Sequence, residues 1–600
     1  MRKCFLLICL ALTSTIVLAQ PKRELRGAWV ATVSNIDWPS SKTLTVAQQQ
    51  SELIAILNQH QQAGLNAVFF QIRSQCDALY NSSIEPWADV LNGLQGSTSS
   101  YDPLQFVIDE CRKRNLEIHA WFNPYRAVIN ATNLSSFATN HIARTRPDLL
   151  LSQGNLRVLD PGQPEVNTYI IRVVMDVLRR YDVDGIHFDD YFYPYPPGTG
   201  VTPFNDDATF AAFPRGISNK NDWRRANIDS LIKRTNDSIK LVKPWVKFGI
   251  SPFGIWQNFS TSQPNGSNTS GLQSFNDIYA NSRLWLQQQW VDYMAPQIYW
   301  SMGFSAANYS VLVPWWNGNA NGRHIYSGMA AYKVNADSDP NWSSNTQIPN
   351  QIRFNRTHAN ILGAVFYNTK SVNNNPLGMR DSLRLNLFNL PAIVPAMGWK
   401  DNIAPARPTS PTISLASLNA TIGWTRPTQP SAEMDKIRSF VVYRSETTPV
   451  DINNPANIRK ILPYDSTAYV DLNLPVDKGF YYVITALDRL ANESPVSDQV
   501  FVSTFPTAIN PVNGAYAALF TVNPNPFANT LTITYEVKTA GLVQLKLIDL
   551  QGKTIDLILH QQQQPAKYTH RYASVKLAPA QYYVQLSIGK NTYNLPIIKQ

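Results

Sequence analysis

From Leu25 to about Leu390 the chain alternates short runs of β-branched and aromatic residues with stretches whose apolar positions fall on one helical face. The short runs are Leu25 to Val33, Ala67 to Arg73, Glu117 to Asn123, Gly185 to Tyr191, Lys247 to Phe253, Tyr293 to Trp300, Ile325 to Tyr332 and Ile361 to Asn368. Between them, Asp102 and Pro103 open a helix carrying Leu104, Val107, Ile108 and Cys111 on one face, and Ile170, Val173, Val174, Val177 and Leu178 form another such face. Gly64 and Asn115 serve as helix stops. Strands alternating with helices predict an α/β fold with a parallel sheet, and eight of them predict a (β/α)8 TIM barrel.

Strand parity divides the barrel residues, because alternate side chains face opposite sides and the helix-facing set must be apolar. Val68, Phe70 and Ile72 pack outward, which turns Phe69, Gln71 and Arg73 inward. Ile118, Ala120 and Phe122 leave His119, Trp121 and Asn123 inside, and Ile186 and Phe188 leave His187, Asp189 and Tyr191 inside. So much buried polarity needs hydrogen-bonded partners and reads as the floor of an active site. The turns from helix to strand are short. Those leaving strands are long: Ser74 to Tyr101, Pro124 to Gly162, Phe192 to Asn221 and Gly254 to Asp277. Barrel enzymes build their sites from these loops, and here the loops carry Trp87, Tyr125, Tyr193, Tyr195, Trp256 and Phe259.

Asp189 is the candidate nucleophile or general base, with Arg73 expected to keep it ionised. A glycosidase also needs a protonated carboxyl group, for which Glu85 is the candidate and Asp77 and Asp190 are competitors. Gln297, Tyr299 and Trp300 are placed to bind and stack on sugar. His119 and His187 lack a third metal ligand at regular spacing, so they join the substrate-binding candidates with Asn123 and Tyr191, and neither metal nor cofactor is expected. A phosphate loop and a serine nucleophile elbow are both missing from the sequence.

Five stretches in order carry a family resemblance: Glu24-Leu-Arg-Gly-Ala-Trp-Val30, Phe70-Gln-Ile-Arg73 with Asp77 and Tyr80, His119-Ala-Trp-Phe-Asn-Pro-Tyr-Arg126, Asp184-Gly-Ile-His-Phe-Asp-Asp190, and Asp292-Tyr-Met-Ala-Pro-Gln297. Over about Arg23 to Leu390 the chain resembles the glycosyl-hydrolase-like 10 family. The resemblance implies a TIM-barrel glycosidase acting on envelope or extracellular glycans such as peptidoglycan strands. It adds Arg73, Asp77, Tyr125 and Arg126 to the substrate-binding set. The competing reading is a non-catalytic glycan-binding surface protein that keeps the barrel as a groove. Tyr191 stands where chitinase-type barrels have an acidic Glu, which argues against substrate-assisted catalysis.

Composition changes this picture little. The net charge is +10, yet no run of Lys and Arg forms a nucleic-acid footprint. Arg2 and Lys3, an apolar run from Phe5 to Leu18 and small Ala19 read as a signal peptide over 1–19, implying export and no membrane span in the mature chain. Of the four Cys, Cys76 and Cys111 remain after its removal, and Cys111 on a buried helix face argues against a bridge. With the barrel over 22–390, a Pro-rich linker is expected at 391–411, then a fibronectin type III-like β-sandwich at 412–504 carrying Trp424, Val441 to Arg444 and Tyr481 to Asp488. A second linker over 505–521 leads to a β-domain at 522–600, whose Asn523-Pro-Asn-Pro-Phe527, Leu545 to Lys553 and Tyr582 to Ser587 resemble the C-terminal sorting domain of the type IX secretion system in Bacteroidetes. That resemblance implies the secretion machinery as a partner and a surface or secreted destination.

Overall fold

The computed structural model describes residues 20–504, 517–573 and 577–600, so the expected signal peptide and most of the second linker lie outside the described residues. Eight parallel strands close into a barrel: β1 (Leu25–Val30), β2 (Ala67–Arg73), β3 (Glu117–Phe122), β4 (Gly185–Phe188), β5 (Lys247–Ile250), β6 (Tyr293–Met294), β7 (His324–Ala330) and β8 (Ile361–Tyr367). The α/β class and the (β/α)8 architecture follow directly. β6 is far shorter than its β-rich sequence, because Pro296 has no N–H for the ladder and the chain beyond Met294 makes isolated bridges at Gln297.

Helices α1 (Val46–Gln62), α2 (Pro103–Lys113), α3 (Pro164–Arg180) and α4 (Lys220–Val242) belong to the outer layer. α1 starts in a capping box between Thr45 and Gln48, and Asp102 caps α2 by accepting from the Gln105 N–H. Ile186 and Phe188 share one core with Val173, Val174 and Val177 of α3, whereas Trp29, Phe69, Trp121, Tyr293 and Tyr326 fill the barrel axis. Room for rings along the axis comes from glycines on neighbouring strands. A Cβ at Gly185 would sit 2.2 Å from the His119 ring, and one at Gly249 would sit 2.0 Å from the Tyr293 ring.

The stretch expected as a linker does part of the barrel's packing. Ile393 bridges to Arg23, Met397 joins the axial core, and the Trp399 indole donates to Asp292 at 3.1 Å. Lys400 pairs with Asp292 at 2.8 Å, both side chains being less than 5% exposed. Burial alone would push the Asp292 carboxyl up, but Lys400 holds it below the usual range. Lys400→Met therefore leaves a buried carboxylate without its cation and is expected to cost about 3–5 kcal/mol, read as a lowered Tm. A melting temperature unchanged at neutral pH would show that this plug contributes nothing.

The following sheets are antiparallel. Thr409–Ala416, Asn419–Thr425 and Ala468–Asp471 form one, and Ile458–Pro463, Ile437–Ser445, Gly479–Asp488 and Val500–Ser503 form the other. This sandwich docks on the face of the barrel where the strands begin. Arg438 binds Asp182 at 2.9 Å and Asp184 at 3.1 Å just before β4, Arg489 binds Asp182 at 2.7 Å, and Lys22 binds Glu493 at 2.6 Å. The described residues within 503–600, with 473–479, form a separate compact unit. Its three-stranded sheet (Ala517–Asn523, Thr530–Val537, Ala566–Ala573) and four-stranded sheet (Thr554–Gln563, Gly541–Ile548, Ala580–Ile588, Asn591–Lys599) enclose Phe520, Ile533, Leu545, Val584 and Ile597.

Candidate active site

β4 ends at Phe188, and the chain turns at once, with Phe192 N–H donating to the Asp190 carbonyl at 2.9 Å. Strict alternation would send Asp189 and Asp190 to opposite sides. The turn lets both carboxyl groups meet barrel-mouth residues, and both residues are at most 3% exposed. Asp189 Oδ2 accepts from the Trp121 indole at 3.1 Å and from the Asn123 amide, and Oδ1 accepts the Tyr191 N–H at 3.3 Å. Asp190 Oδ1 accepts from Gln297 Nε2 at 2.9 Å, which also donates to the Ser251 carbonyl at 2.9 Å, and Asp190 Oδ2 accepts from the Tyr195 hydroxyl.

Burial pushes the Asp189 carboxyl up to about 7, with Asp190 adding to the rise and Arg126 and the Trp121 donor opposing it. Burial also raises Asp190, against the hydrogen bonds from Tyr195 and Gln297 that favour its ionised form. Asp189 is thus a carboxyl group that exchanges a proton near neutrality, while Asp190 has each oxygen matched to a donor that stabilises negative charge.

Aromatic rings frame the pair. Tyr191 is 42% exposed and lies against Tyr195, with the Arg126 guanidinium 4.8 Å from its ring centroid. Tyr195 meets Phe253, and Phe253 meets Trp300 at 5.6 Å. Tyr299 stacks on Tyr367 at 5.9 Å and abuts Tyr332, which is 40% exposed. A cavity of about 180 Å³ is lined by Arg126, Gln153, Tyr191, Tyr195 and the prolines after it, and neither aspartate is part of its lining. Arg126 Nη2 and Gln153 Oε1 are both buried without a hydrogen-bond partner among the described residues.

Residues 24–344 match the model of a family described as Glycosyl hydrolase-like 10. The Glycosyl hydrolase YngK of Bacillus subtilis (strain 168) is 42% identical over 483 residues, 80% of this chain and 93% of that protein. The chain belongs to the glycosyl hydrolase-like 10 family. Glycosyl hydrolase DigH of Escherichia coli (strain K12) is 38% identical over 376 residues, 59% of this chain and 85% of that protein. Among solved structures, the catalytic domain of the beta-amylase from Paenibacillus polymyxa matches with a TM-score of 0.40 at 10% identity, covering 62% of this chain and 99% of that one.

At the mouth of this glycosyl hydrolase-like 10 barrel the structure gathers Asp189, Asp190, Asn123, Arg126, Tyr191, Gln297, Tyr299 and Trp300. Other candidates are elsewhere. A register shift between Gln71 and Arg73 takes Arg73 off the strand alternation. Arg73 then pairs with Glu85 (2.6 Å) and donates to the carbonyls of Asn123 (2.6 Å) and Pro124 (3.0 Å), so Arg126, not Arg73, is the cation facing Asp189. Glu85, the expected acid, is sealed in that ion pair and also accepts from Tyr169 at 2.7 Å, which commits it to holding the loop after β2. Asp77 is buried in the same loop, accepting from Ser74 at 3.2 Å and from the Gln75 N–H at 3.1 Å. Tyr125 points away and donates to Asn167 at 2.9 Å.

His119 and His187 are fully buried below the carboxyl groups, both bonded to the Tyr293 hydroxyl, at 2.8 and 3.1 Å. Burial, with His119 adding, depresses His187 well below the usual imidazole range, so it stays neutral as part of the barrel core. Ser251, Tyr332 and Tyr367 were not singled out from sequence, whereas Gln71 and Trp121 were read only as inward residues and Tyr195 only as a loop aromatic, without individual roles. Gln71 and Trp121 had a usable signal, the inward parity of β2 and β3. Tyr332 and Tyr367 end or follow predicted strands on the barrel's open rim, the usual source of site residues.

Proposed function

We propose that this chain is an exported glycoside hydrolase that cleaves glycosidic bonds in an envelope or extracellular polysaccharide, peptidoglycan glycan strands among them. Membership of the glycosyl hydrolase-like 10 family supports glycosidase chemistry at the general level. The carrying observation is the buried Asp189 and Asp190 pair at the barrel mouth, with Asp189 pushed up to about 7. Protonated Asp189 passes its proton to the glycosidic oxygen as the bond to the anomeric carbon breaks. Asp190, whose two oxygens accept from Gln297 and Tyr195, is placed to stabilise in its ionised form the positive charge that develops there. Water then adds to the anomeric carbon and returns a proton to Asp189, which completes the hydrolysis. Tyr191, Trp300, Tyr299 and Tyr332 supply faces for sugar rings, and the unpartnered Arg126 N–H supplies a donor for a substrate oxygen.

The docked sandwich serves as a clamp on the opposite face of the barrel, and the last unit as a secretion address. Purified protein lacking residues 1–19 is expected to release reducing ends from at least one member of a glycan panel that includes peptidoglycan strands. Glycan binding with no release of reducing ends across that panel would establish the non-catalytic reading instead. Deleting residues 522–600 is expected to trap folded protein in the periplasm, and unchanged surface display would refute the address.

A further inference from the structure

We propose that Gln71, which touches no substrate, is a positioning residue that fixes which oxygen of Asp189 carries the reactive proton; the inference rests on the glycosidase reading above. Gln71 is 1% exposed on β2. Its Oε1 accepts two main-chain N–H groups, from Thr32 at 2.9 Å and Val33 at 2.8 Å, so its amide has one permitted orientation. Its Nε2 must then donate, and it does so to Asn123 Oδ1 at 2.5 Å. With that oxygen occupied, Asn123 has only its Nδ2 to offer Asp189, and this donates to Oδ2. The Trp121 indole donates to the same Oδ2 at 3.1 Å.

Two N–H groups therefore face Oδ2, and a proton placed there would confront both. The proton of the neutral acid resides on Oδ1, whose partner is the longer Tyr191 N–H contact at 3.3 Å. A backbone feature at the end of β1 is thereby transmitted through two amides to the proton-bearing oxygen at the end of β4. Around Asp189 the charged and titratable groups are Arg126 from the loop after β3 and Asp190 and Tyr191 from its own turn. Tyr195 and Gln297 act on Asp190. None of them fixes the orientation of the Asn123 amide, so Gln71 can be tested separately from them.

Gln71→Glu tests the polarity of the chain with little change in shape. One carboxyl oxygen still accepts from Thr32 and Val33. While the other carries a proton it donates to Asn123 as the amide does. Once ionised it can only accept, so Asn123 turns over and presents its oxygen to Asp189 Oδ2, drawing the Asp189 proton away from Oδ1. Expected for Gln71→Glu is turnover near the wild-type value at about pH 5, falling at least tenfold below wild type by about pH 8 with KM within about twofold. Gln71→Leu, which cannot orient Asn123, is expected to lose at least tenfold in kcat throughout.

A second readout needs no substrate. The 15N-labelled Trp121 indole N–H, assigned by its absence in Trp121→Phe, follows the titration of Asp189 in the wild-type protein, and its midpoint is expected to rise in both Gln71 variants. Turnover profiles and indole titrations of a folded Gln71→Glu protein that superimpose on the wild type would overturn the proposal, as would equal loss of kcat at every pH. If the wild-type protein cleaves no glycan at all, the glycosidase reading fails while the indole titration still decides the role of Gln71.

Discussion

Asp189→Asn is expected to lower kcat by roughly 10²–10⁴-fold while leaving the fold intact, and to change the pH dependence of stability in a direction set by burial. The amide copies the shape of the protonated acid and can still accept from Asn123 and Trp121, but it has no proton to give a glycosidic oxygen. The carboxyl group of Asp189 is raised from its usual 3.8 to about 7. The folded wild-type protein therefore binds a proton that the unfolded chain releases, and this contribution to stability is complete below about pH 4. It is lost as pH rises through 7, by an amount of roughly 2–4 kcal/mol at most. Asparagine never ionises, so the variant should gain Tm relative to wild type as pH goes from about 5 to 8. Measuring kcat on a cleaved glycan and Tm against pH checks both parts. Retained turnover, or melting curves that run parallel over that range, would remove Asp189 from the role of proton donor.

Much of the barrel was legible because two periodicities coincide in it. The apolar positions Ile186 and Phe188 alternate with His187 and Asp189, and a helix such as Ile170 to Leu178 must cover the apolar set; both observations lead to the same facing of β4. Asp189 was legible as an inward carboxyl by the same reasoning, but Asp190 was only a competitor to Glu85, since alternation points it outward and the turn after Phe188 is what brings it to the mouth. The alternation could not show how the pair is tuned. Parity holds only while the ladder holds, and it breaks at the bulge before Arg73 and at the turn after Phe188. The partner of Arg73 lies 12 residues away in a loop, where neither strand nor helix period constrains direction. The histidines misled for the opposite reason: their inward parity is correct, but parity does not say how deep along the axis a side chain sits. His119 and His187 lie at the level of Tyr293, well below the rim. The role of Met397 and Trp399 was hidden by the Pro-rich composition around them, which marks a break in secondary structure without saying whether the segment is packed.

Arg73 and Arg126 should separate cleanly as a structural and an electrostatic cation. Arg73→Met leaves Glu85 buried, with Tyr169 as its remaining side-chain donor, and is expected to destabilise the protein by about 3–5 kcal/mol, because the cost of burying an uncompensated charge is no longer offset. Replacing both partners, Arg73→Met with Glu85→Met, removes the stranded charge as well and should recover a large part of the lost Tm. Arg73 is not among the principal influences on Asp189, so where the single variant still folds, its pH profile should keep the wild-type alkaline limb. Arg126 acts on Asp189 through space by favouring the carboxylate, and losing it raises the carboxyl pKa further. A proton donor with a higher pKa stays protonated to higher pH. Arg126→Met should therefore move the alkaline limb of kcat upward by about one pH unit, with an increase in KM from the lost substrate contact. The decisive comparison is which arginine moves the limb. A shift in Arg73→Met with none in Arg126→Met would mean that the ion pair under the loop, and not the guanidinium lying on Tyr191, sets the proton affinity of the active carboxyl group.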